Sequence, residues 1–333
     1  MLRRSILSIV GGLALDAALV SAPVATSQTL SSQNYVIGVL EFGTRIGFDE
    51  YVVSFKEGLR EAGLVEGGNL RIEYRFADND KYKLKRLADE LVRSKVHLIY
   101  APTILEVLGA KSATSTIPIV FSAINDPVGA ELVTSLARPG GNITGVSTAN
   151  SELTSKRVQL MREMFPGSAR FGVIYDEDTA HACQIELTDI RNAAKTLLID
   201  VREYPYVSNV ELDKTFERAQ RANIAAALVP TVYETRRFGA ALLSQSTVGR
   251  LPLIYADAAP VEAGGLMSYG PQSGWATRRA ASYVAKILAG AKPADLAIEQ
   301  PSRYELIVNM KAARTMGVQV PQSVLLRADR VIE

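Results

Sequence analysis

An asparagine, an acid and a proline follow a short apolar segment in the first half of the chain. The segment Ile117–Ser122 is rich in β-prone apolar residues, which is typical of a strand buried on both faces of a parallel sheet. Asn125, Asp126 and Pro127 come just after it. Open α/β sheets bind ligands at the carboxyl ends of their strands, so these side chains are candidates for ligand contact. The same residue types also cap helices and form turns, and that interpretation of Asn125 and Asp126 stays open.

Polar and aromatic residues also follow other predicted strands in both halves of the chain. Acidic side chains could bind an ammonium group, hydroxyl groups and helix N-termini could bind a carboxylate, and aromatic faces could cover an apolar body. Together these residues predict a cleft for a small amphipathic solute, although a turn, cap or core role is the alternative at each position. The additional candidates are Phe42, Gly43, Thr103, Tyr175, Asp176, Thr231, Asp257 and Tyr269.

The sequence lacks the short motifs of common catalytic and nucleotide-binding sites. It has no G-x-S-x-G, H-E-x-x-H, C-x-x-C, Walker or G-x-G-x-x-G pattern, and it has only two histidines. His97 begins a predicted strand, where a structural histidine is expected, and His181 and Cys183 point in different directions on a predicted helix. The acidic segment 176–178 could do acid–base work, but acids are also common where a helix begins. We therefore expect no enzyme, no metal and no cofactor.

The charge of the chain is nearly balanced, with 37 Lys and Arg residues against 35 Asp and Glu residues. A nucleic-acid partner would require a concentrated basic surface, and basic residues occur here as local pairs such as Arg236-Arg237. We expect no nucleic-acid partner. The single cysteine, Cys183, excludes an intramolecular disulfide, which is compatible with either a reducing or an oxidising compartment.

The first 28 residues have the three-part layout of an export signal. Arg3 and Arg4 precede the apolar run Ile6–Val20, and small residues follow it around Ala22 and Ala25. The run is too short to span a membrane, and no cysteine follows it that could carry a lipid. We expect a signal peptide over residues 1–28 that is cleaved, and a periplasmic protein that is not a lipoprotein. The general secretory route and the twin-arginine route both stay open.

From Tyr35 onward, short apolar segments alternate with amphipathic helical patterns, which predicts βαβ units and parallel sheets. The length of 333 residues favours two domains, and the breaker cluster Pro139–Gly141 lies at the approach to a crossing between them. The elements after Gly270 are too few for a third domain, so we expect them to complete the first two. The predicted strands are Val36–Leu40, Asn69–Phe76, Val96–Tyr100, Ile117–Ser122, Ile143–Val146, Phe171–Tyr175, Asp200–Tyr204, Ala225–Val229, Leu253–Tyr255, Leu266–Tyr269 and Tyr304–Val308.

Several segments along the chain together resemble a family of ABC-transporter solute-binding proteins that includes tryptophan- and tyrosine-binding members. The segment 117–146, with its Asp-Pro and Arg-Pro-Gly-Gly elements, carries the most specific part of the resemblance. The supporting segments are Gly58–Gly63 with Glu66-Gly67 and Asn69–Tyr74, Leu87–Val92, Gly264–Pro271, Ile287–Leu296 and Val308–Ala313, with the C-terminal residues Arg327–Glu333. The resemblance covers the whole chain after the signal.

The resemblance implies a type I periplasmic-binding fold, with two doubly wound parallel-sheet lobes joined by hinge strands. The first lobe is expected to contain residues 35–147 and 270–300, and the second lobe residues 148–269 and 301–333. Asp126 matches the Asp-Pro position of the family, and Thr103 matches a Ser/Thr position after the third strand. Ala101-Pro102 and the segment 175–178 depart from the usual pattern.

The function implied by the resemblance is the periplasmic solute-binding component of an ABC importer. It would capture a small amphipathic solute, for example an aromatic or other amino acid, between two closing lobes. The implied partners are an ABC permease and its ATPase in the inner membrane, and we expect a monomer. The alternative is a periplasmic sensing module that presents the bound solute to a membrane receptor or kinase.

Overall fold

The computed structural model describes residues 33–148, 151–177, 180–230, 239–272 and 274–333. The predicted signal peptide and Thr231 lie outside these ranges. The described residues form two α/β lobes, each with a central sheet that has helices on both faces. The predicted fold class is confirmed.

The sheet of the first lobe has five strands among the described residues, and all of them run parallel in the order β2-β1-β3-β4-β5. The strands are β1 (Tyr35–Glu41), β2 (Leu70–Phe76), β3 (Leu98–Tyr100), β4 (Ile119–Ile124) and β5 (Ile143–Ser147). The helices that follow the first three strands are α1 (Arg45–Glu61), α2 (Leu84–Arg93) and α3 (Ile104–Ala113).

Apolar side chains on both faces of this sheet explain why its strands are continuous apolar runs rather than alternating ones. Leu98 and Tyr100 belong to the core on one face, whereas Ile99 belongs to the core on the other. Phe55 of α1 stacks on Tyr100 with ring centroids 4.1 Å apart. Successive residues of a strand point to opposite faces of the sheet, so a strand with no polar face needs apolar packing on both faces.

The second lobe has seven strands among the described residues, in the order β12-β11-β10-β9-β8-β6-β7. The strands are β6 (Arg170–Asp176), β7 (Asp200–Tyr206), β8 (Ala227–Leu228), β9 (Leu253–Tyr255), β10 (Met267–Pro271), β11 (Tyr304–Asn309) and β12 (Arg330–Ile332). The described helices from residue 151 onward are α4 (Ser151–Met164), α5 (Ala180–Leu197), α6 (Asn209–Arg221), α7 (Gly239–Gly249), α8 (Ala259–Glu262), α9 (Trp275–Leu288), α10 (Met310–Met316) and α11 (Gln322–Leu325). Of these, α9 packs into the core of the first lobe.

One strand pair of the second sheet, β10 with β11, is antiparallel, which differs from the fully parallel sheet that the sequence predicted. Pro271 at the end of β10 pairs with Tyr304 at the start of β11. The chain leaves this sheet at Pro271, packs α9 against α1 of the first lobe, and returns at Tyr304 beside the point where it left. A chain that leaves a sheet at the end of one strand and re-enters it beside that point must form an antiparallel strand on its return.

The chain passes between the lobes three times over the described ranges: after Ser147, after Pro271 and before Tyr304. The first and third crossings lie side by side, because Ser147 donates its backbone N–H to the carbonyl oxygen of Glu299 at 2.8 Å. The carboxylate of Glu299 accepts two hydrogen bonds from Arg279, at 2.5 and 2.6 Å. This ion pair attaches the crossing segment to α9 of the first lobe.

Candidate functional site

A cavity of about 550 Å³ lies between the lobes where the crossing segments meet them. The first lobe contributes the loop after β4, and the second lobe contributes the first turns of α4 and the exposed side of α5. The third crossing closes one side. The lining residues are Asn125, Asp126, Pro127, Val128, Leu136, Glu152, Thr154, Ile185, Glu186, Asp189, Gln300 and Tyr304.

The first-lobe wall of the cavity contains two of the predicted residues, Asn125 and Asp126. Thr148 donates its hydroxyl to Asn125 Oδ1 at 2.7 Å, so the asparagine links the end of β4 to the end of β5. Asp126 Oδ1 accepts the backbone N–H of Gly129 at 2.8 Å. The two interpretations of Asp126 are therefore compatible, because one carboxylate oxygen stabilises the turn while the residue also lines the cavity.

A buried ion pair supports the second-lobe wall. Arg157 Nη2 donates to Glu186 Oε1 at 2.8 Å and to Thr154 Oγ1 at 2.9 Å. The side chains of Arg157 and Glu186 are only 3% and 4% exposed. The pair joins α4 to α5 and neutralises a carboxylate that would otherwise be costly to bury. It thereby holds two lining residues, Thr154 and Glu186, in fixed positions.

Two tyrosines lie where the third crossing enters the second sheet. The rings of Tyr269 and Tyr304 have centroids 6.3 Å apart at an angle of 44°. Tyr304 donates its hydroxyl to the carbonyl oxygen of Pro301 at 2.8 Å. Burial, followed by the negative charge of Glu152, raises the pKa of the Tyr304 phenol. Tyr304 lines the cavity, whereas Tyr269 contacts the Tyr304 ring and is not part of the lining.

Thr103, Phe42 and Gly43 surround a buried pair of acids at the carboxyl ends of β1 and β3. Glu106 is fully buried, and its carboxylate accepts the Phe42 N–H at 3.0 Å and the Thr103 hydroxyl at 2.6 Å. Glu41 accepts the N–H of Gly43 at 3.0 Å. The Phe42 side chain lies in the core of the first lobe. These three predicted residues shape the loops at the strand ends but do not line the cavity described above.

Sequence reasoning did not single out Glu41 or Glu106. The spacing of Thr103 and Glu106 is that of a helix capping box, which is a signal that the sequence did contain. In the structure, however, the Glu106 carboxylate accepts the backbone N–H of Phe42, so it stabilises the loop after β1 and not only the start of its own helix. Glu152 and Asp189 were also missed, since nothing in a local helical pattern indicates that a polar residue faces a cleft.

Three further predicted residues, Tyr175, Asp176 and Asp257, belong to the second lobe and are not part of the cavity lining. Tyr175 donates its hydroxyl to Glu203 Oε2 at 3.0 Å, and burial together with this carboxylate raises the pKa of the Tyr175 phenol to about 12. Asp176 is buried at the end of β6, and Asp257 is half-buried after β9. Their roles, and that of Thr231, stay predictions.

Two further observations concern the whole of the described ranges. No group of three His, Cys, Asp or Glu side chains in these ranges is arranged to hold a metal ion. None of the helices described has both the length and the apolarity needed to cross a membrane.

His97 accepts the backbone N–H of Val36 at 3.0 Å, which is the structural role expected for it.

Comparison with known proteins gives the family. Residues 36–332 match the family described as ABC transporter substrate binding protein. The chain belongs to this family. The substrate-binding protein is similar to the tyrosine-binding protein of Clostridioides difficile (strain R20291), with 25% identity over 292 residues, which is 88% of this chain and 84% of the relative.

Two solved structures are also similar to this substrate-binding protein. One is an ABC domain in complex with L-Trp from Streptococcus pneumonia, with 27% identity, a TM-score of 0.81, and coverage of 90% of this chain and 100% of that one. The other is a conserved domain protein from Vibrio cholerae, with 25% identity, a TM-score of 0.81 and the same coverage. The predicted family is confirmed. Its fold is that of type I periplasmic binding proteins, and the family and fold are those of solute-binding proteins, not of enzymes.

Proposed function

We propose that this substrate-binding protein is the periplasmic solute-binding component of an ABC importer. It captures a small amphipathic solute between its two lobes and delivers the solute to a permease and its ATPase in the inner membrane. The observation that carries the proposal is the cavity of about 550 Å³, because both lobes and a crossing segment contribute to its lining. The volume is within the range of about 300 to 1,000 Å³ that is typical of small-molecule sites.

The arrangement of the walls supports capture by lobe closure. Asp126 and Val128 lie on the first lobe, whereas Glu152 and Ile185 lie on the second, so a solute that touches all four joins the lobes. Such a solute has more contacts in the closed arrangement than in the open one, and it therefore shifts the equilibrium toward closure. Closure is the change that a permease can recognise.

The names of two relatives support an amino acid as a first candidate for the solute. One relative is a tyrosine-binding protein, and another was solved with L-Trp. In this proposal residues 1–28 are a cleaved signal peptide and the mature protein is a periplasmic monomer. The first lobe comprises residues 35–147 and 270–300, and the second comprises residues 148–269 and 301–333. The proposed solute contacts begin with Asn125 and Asp126, which line the cavity.

A thermal-shift screen of the purified protein tests the proposal. The panel contains amino acids, amines, nucleosides, sugars and small carboxylates, and calorimetry then gives the dissociation constant of each hit. We expect one solute class to raise the melting temperature in proportion to the logarithm of its concentration. Failure of every class to bind would contradict solute capture. Uptake of the bound solute by vesicles that contain the permease and ATPase then separates transport from sensing.

A further inference from the structure

The third crossing is hydrogen-bonded to the first lobe at four consecutive residues, 296–299. Its partners come from β5, from α9 and from the loop after β4. The bonded pairs are Leu296 with Thr144, Ala297 with Tyr283, Ile298 with Leu136, and Glu299 with Ser147 and Arg279. The Ile298 side chain also lies in the core of the first lobe. The position of this crossing is therefore fixed by the first lobe as far as Glu299.

Gln300 is the first residue beyond this fixed part of the crossing. It is exposed, and it lines the cavity between the lobes. Its carboxamide makes no hydrogen bond to another residue of the described ranges. A carboxamide has N–H donors and a carbonyl acceptor, so this group is available to a polar group of the solute. Gln300 therefore brings hydrogen-bonding capacity to the cavity from the crossing itself.

A second carboxamide of the lining, that of Asn125, is held by the first crossing. Thr148 donates its hydroxyl to Asn125 Oδ1 at 2.7 Å, and Ser147 donates its hydroxyl to the backbone carbonyl oxygen of Asn125 at 3.0 Å. The backbone N–H of the same Ser147 is bonded to Glu299, which directly precedes Gln300. One set of hydrogen bonds, centred on Ser147, thus positions two neutral amides of the lining where the crossings lie side by side.

Arg279 lies on α9 and is not part of the cavity lining, but it holds the residue before Gln300. Its guanidinium donates two hydrogen bonds to the carboxylate of Glu299, from Nε at 2.5 Å and from Nη2 at 2.6 Å. A bidentate bond of this kind fixes the direction of a carboxylate as well as its distance. Glu299 is therefore held both by its side chain and by its carbonyl oxygen, and the backbone that leads into Gln300 is fixed at both points.

We propose that Gln300 is a solute-binding residue and that Arg279 is a positioning residue, which acts on the solute through Glu299 and Gln300. This inference rests on the proposed function, because it takes the cavity as the solute site. The Gln300 amide exchanges hydrogen bonds with a polar group of the solute. An amide that is already in place loses less conformational freedom on binding than a mobile one, so the remote ion pair strengthens the binding.

Solute affinities of two single variants test the two roles. The probe is the solute that binds most tightly in the thermal-shift panel, with L-tyrosine and L-tryptophan measured first, and calorimetry gives each dissociation constant. Gln300→Met keeps the length of the side chain and removes its amide, and we expect it to weaken binding by about tenfold. Arg279→Met releases Glu299, and it should weaken binding by about threefold to tenfold, which is the cost of ordering a side chain on binding.

The double variant separates positioning from a general structural effect. If Arg279 acts by holding the Gln300 amide in place, its effect disappears once that amide is absent. Arg279→Met with Gln300→Met should therefore bind the probe as tightly as Gln300→Met alone. A loss of stability that is unrelated to Gln300 would instead weaken binding of the double variant further.

The neighbouring arginine of the same helix provides a matched control. Arg278 forms ion pairs with Glu57 and Glu61 of α1, so its partners belong to the first lobe and not to the crossing. Arg278→Met removes the same charge and the same number of side-chain donors, and it should leave the affinity unchanged. Melting temperatures of all unliganded variants verify that each remains folded at the temperature of the binding measurement.

The outcomes separate this inference from the proposed function. Unchanged affinity in Gln300→Met or in Arg279→Met shows that the inference is wrong while solute capture stands. An additive loss in the double variant, or an equal loss in Arg278→Met, also contradicts the positioning role of Arg279. If no solute of the whole panel binds the original protein, the proposed function fails together with the inference.

Discussion

Ser147 donates its backbone N–H to the carbonyl oxygen of Glu299 at 2.8 Å, so two of the segments that connect the lobes are hydrogen-bonded to each other. The carboxylate of the same Glu299 is bound by Arg279 of α9 in the first lobe. The first and third crossings are therefore both attached to the first lobe.

The ion pair between Glu299 and Arg279 predicts a pH-dependent contribution to stability. Arg279 lowers the pKa of the Glu299 carboxyl below its ordinary value of 4.5. The folded state thus favours the ionised acid, and the stabilisation is present above that ordinary value and is lost as the pH falls through the lower pKa of the folded protein. Both side chains are more than a third exposed, so after screening by solvent we expect Glu299→Gln to cost about 0.5–1 kcal/mol at pH 7.

Urea unfolding of the original protein and of Glu299→Gln at pH 7 and at pH 3 measures this contribution. The difference between the two proteins should shrink at the lower pH. Glu217→Gln removes one partner of an exposed ion pair with Arg221 and serves as the control, with a smaller effect. An equal difference at both pH values would contradict the assignment to the Arg279 ion pair.

Breaking the buried ion pair of Arg157 and Glu186 should lower the stability more than Glu299→Gln does. Replacing Glu186 with Gln leaves the guanidinium of Arg157 buried without its carboxylate. We expect a loss of about 3–5 kcal/mol, because breaking one partner's charge in a buried ion pair is strongly destabilising. The double variant Arg157→Met with Glu186→Gln should recover part of this loss. Denaturant unfolding of the single and double variants measures it, and a double variant less stable than Glu186→Gln would contradict the explanation.

The two hydrogen bonds that Glu106 accepts predict that substitutions of Glu106 and of Thr103 lower the stability by different amounts. Glu106→Ala leaves the buried Phe42 N–H and the Thr103 hydroxyl without this acceptor, and we expect a loss of about 2–3 kcal/mol. Thr103→Val removes only the hydroxyl at nearly constant volume, and it should cost about 1 kcal/mol. Melting temperatures rank the two variants. If Thr103→Val were the more damaging change, the main role of Glu106 would not be to hold the Phe42 loop.

Asp126 can be tested in a way that separates its turn from its charge. Asp126→Asn keeps an oxygen that accepts the Gly129 N–H but removes the negative charge, whereas Asp126→Ala removes both. We expect Asn to preserve the melting temperature and to weaken binding of a solute that carries an ammonium group by about tenfold. Ala should weaken binding and also lower stability by about 1 kcal/mol. Unchanged affinity in the Asn variant would restrict Asp126 to its role in the turn.

The order of the elements could be predicted from the sequence because the information is local. Apolar runs such as Ile117–Ser122 identify strands that are buried on both faces, and β4 is observed at Ile119–Ile124. Asn125 and Asp126 were selected because residues after a parallel strand converge with residues after its neighbours, and they do line the cavity. The short strand β12 and the helix α11 at the C-terminus were missed, because segments of three and four residues carry too little periodicity.

The set of residues that line the cavity and the direction of β11 depended on the tertiary structure. Glu152 and Asp189 lie on two helices, and a helical sequence pattern identifies the apolar face of each helix but does not say whether its polar face meets solvent or another lobe. Tyr175 is buried at the end of β6 and Tyr304 is half-buried at the start of β11, yet the Tyr175 hydroxyl is bound to Glu203 while Tyr304 lines the cavity. The sequence by itself thus determined which segments are strands and helices and which family they belong to. The packing of two lobes around three crossings decided which polar side chains share one cavity, because that juxtaposition joins residues far apart in the chain.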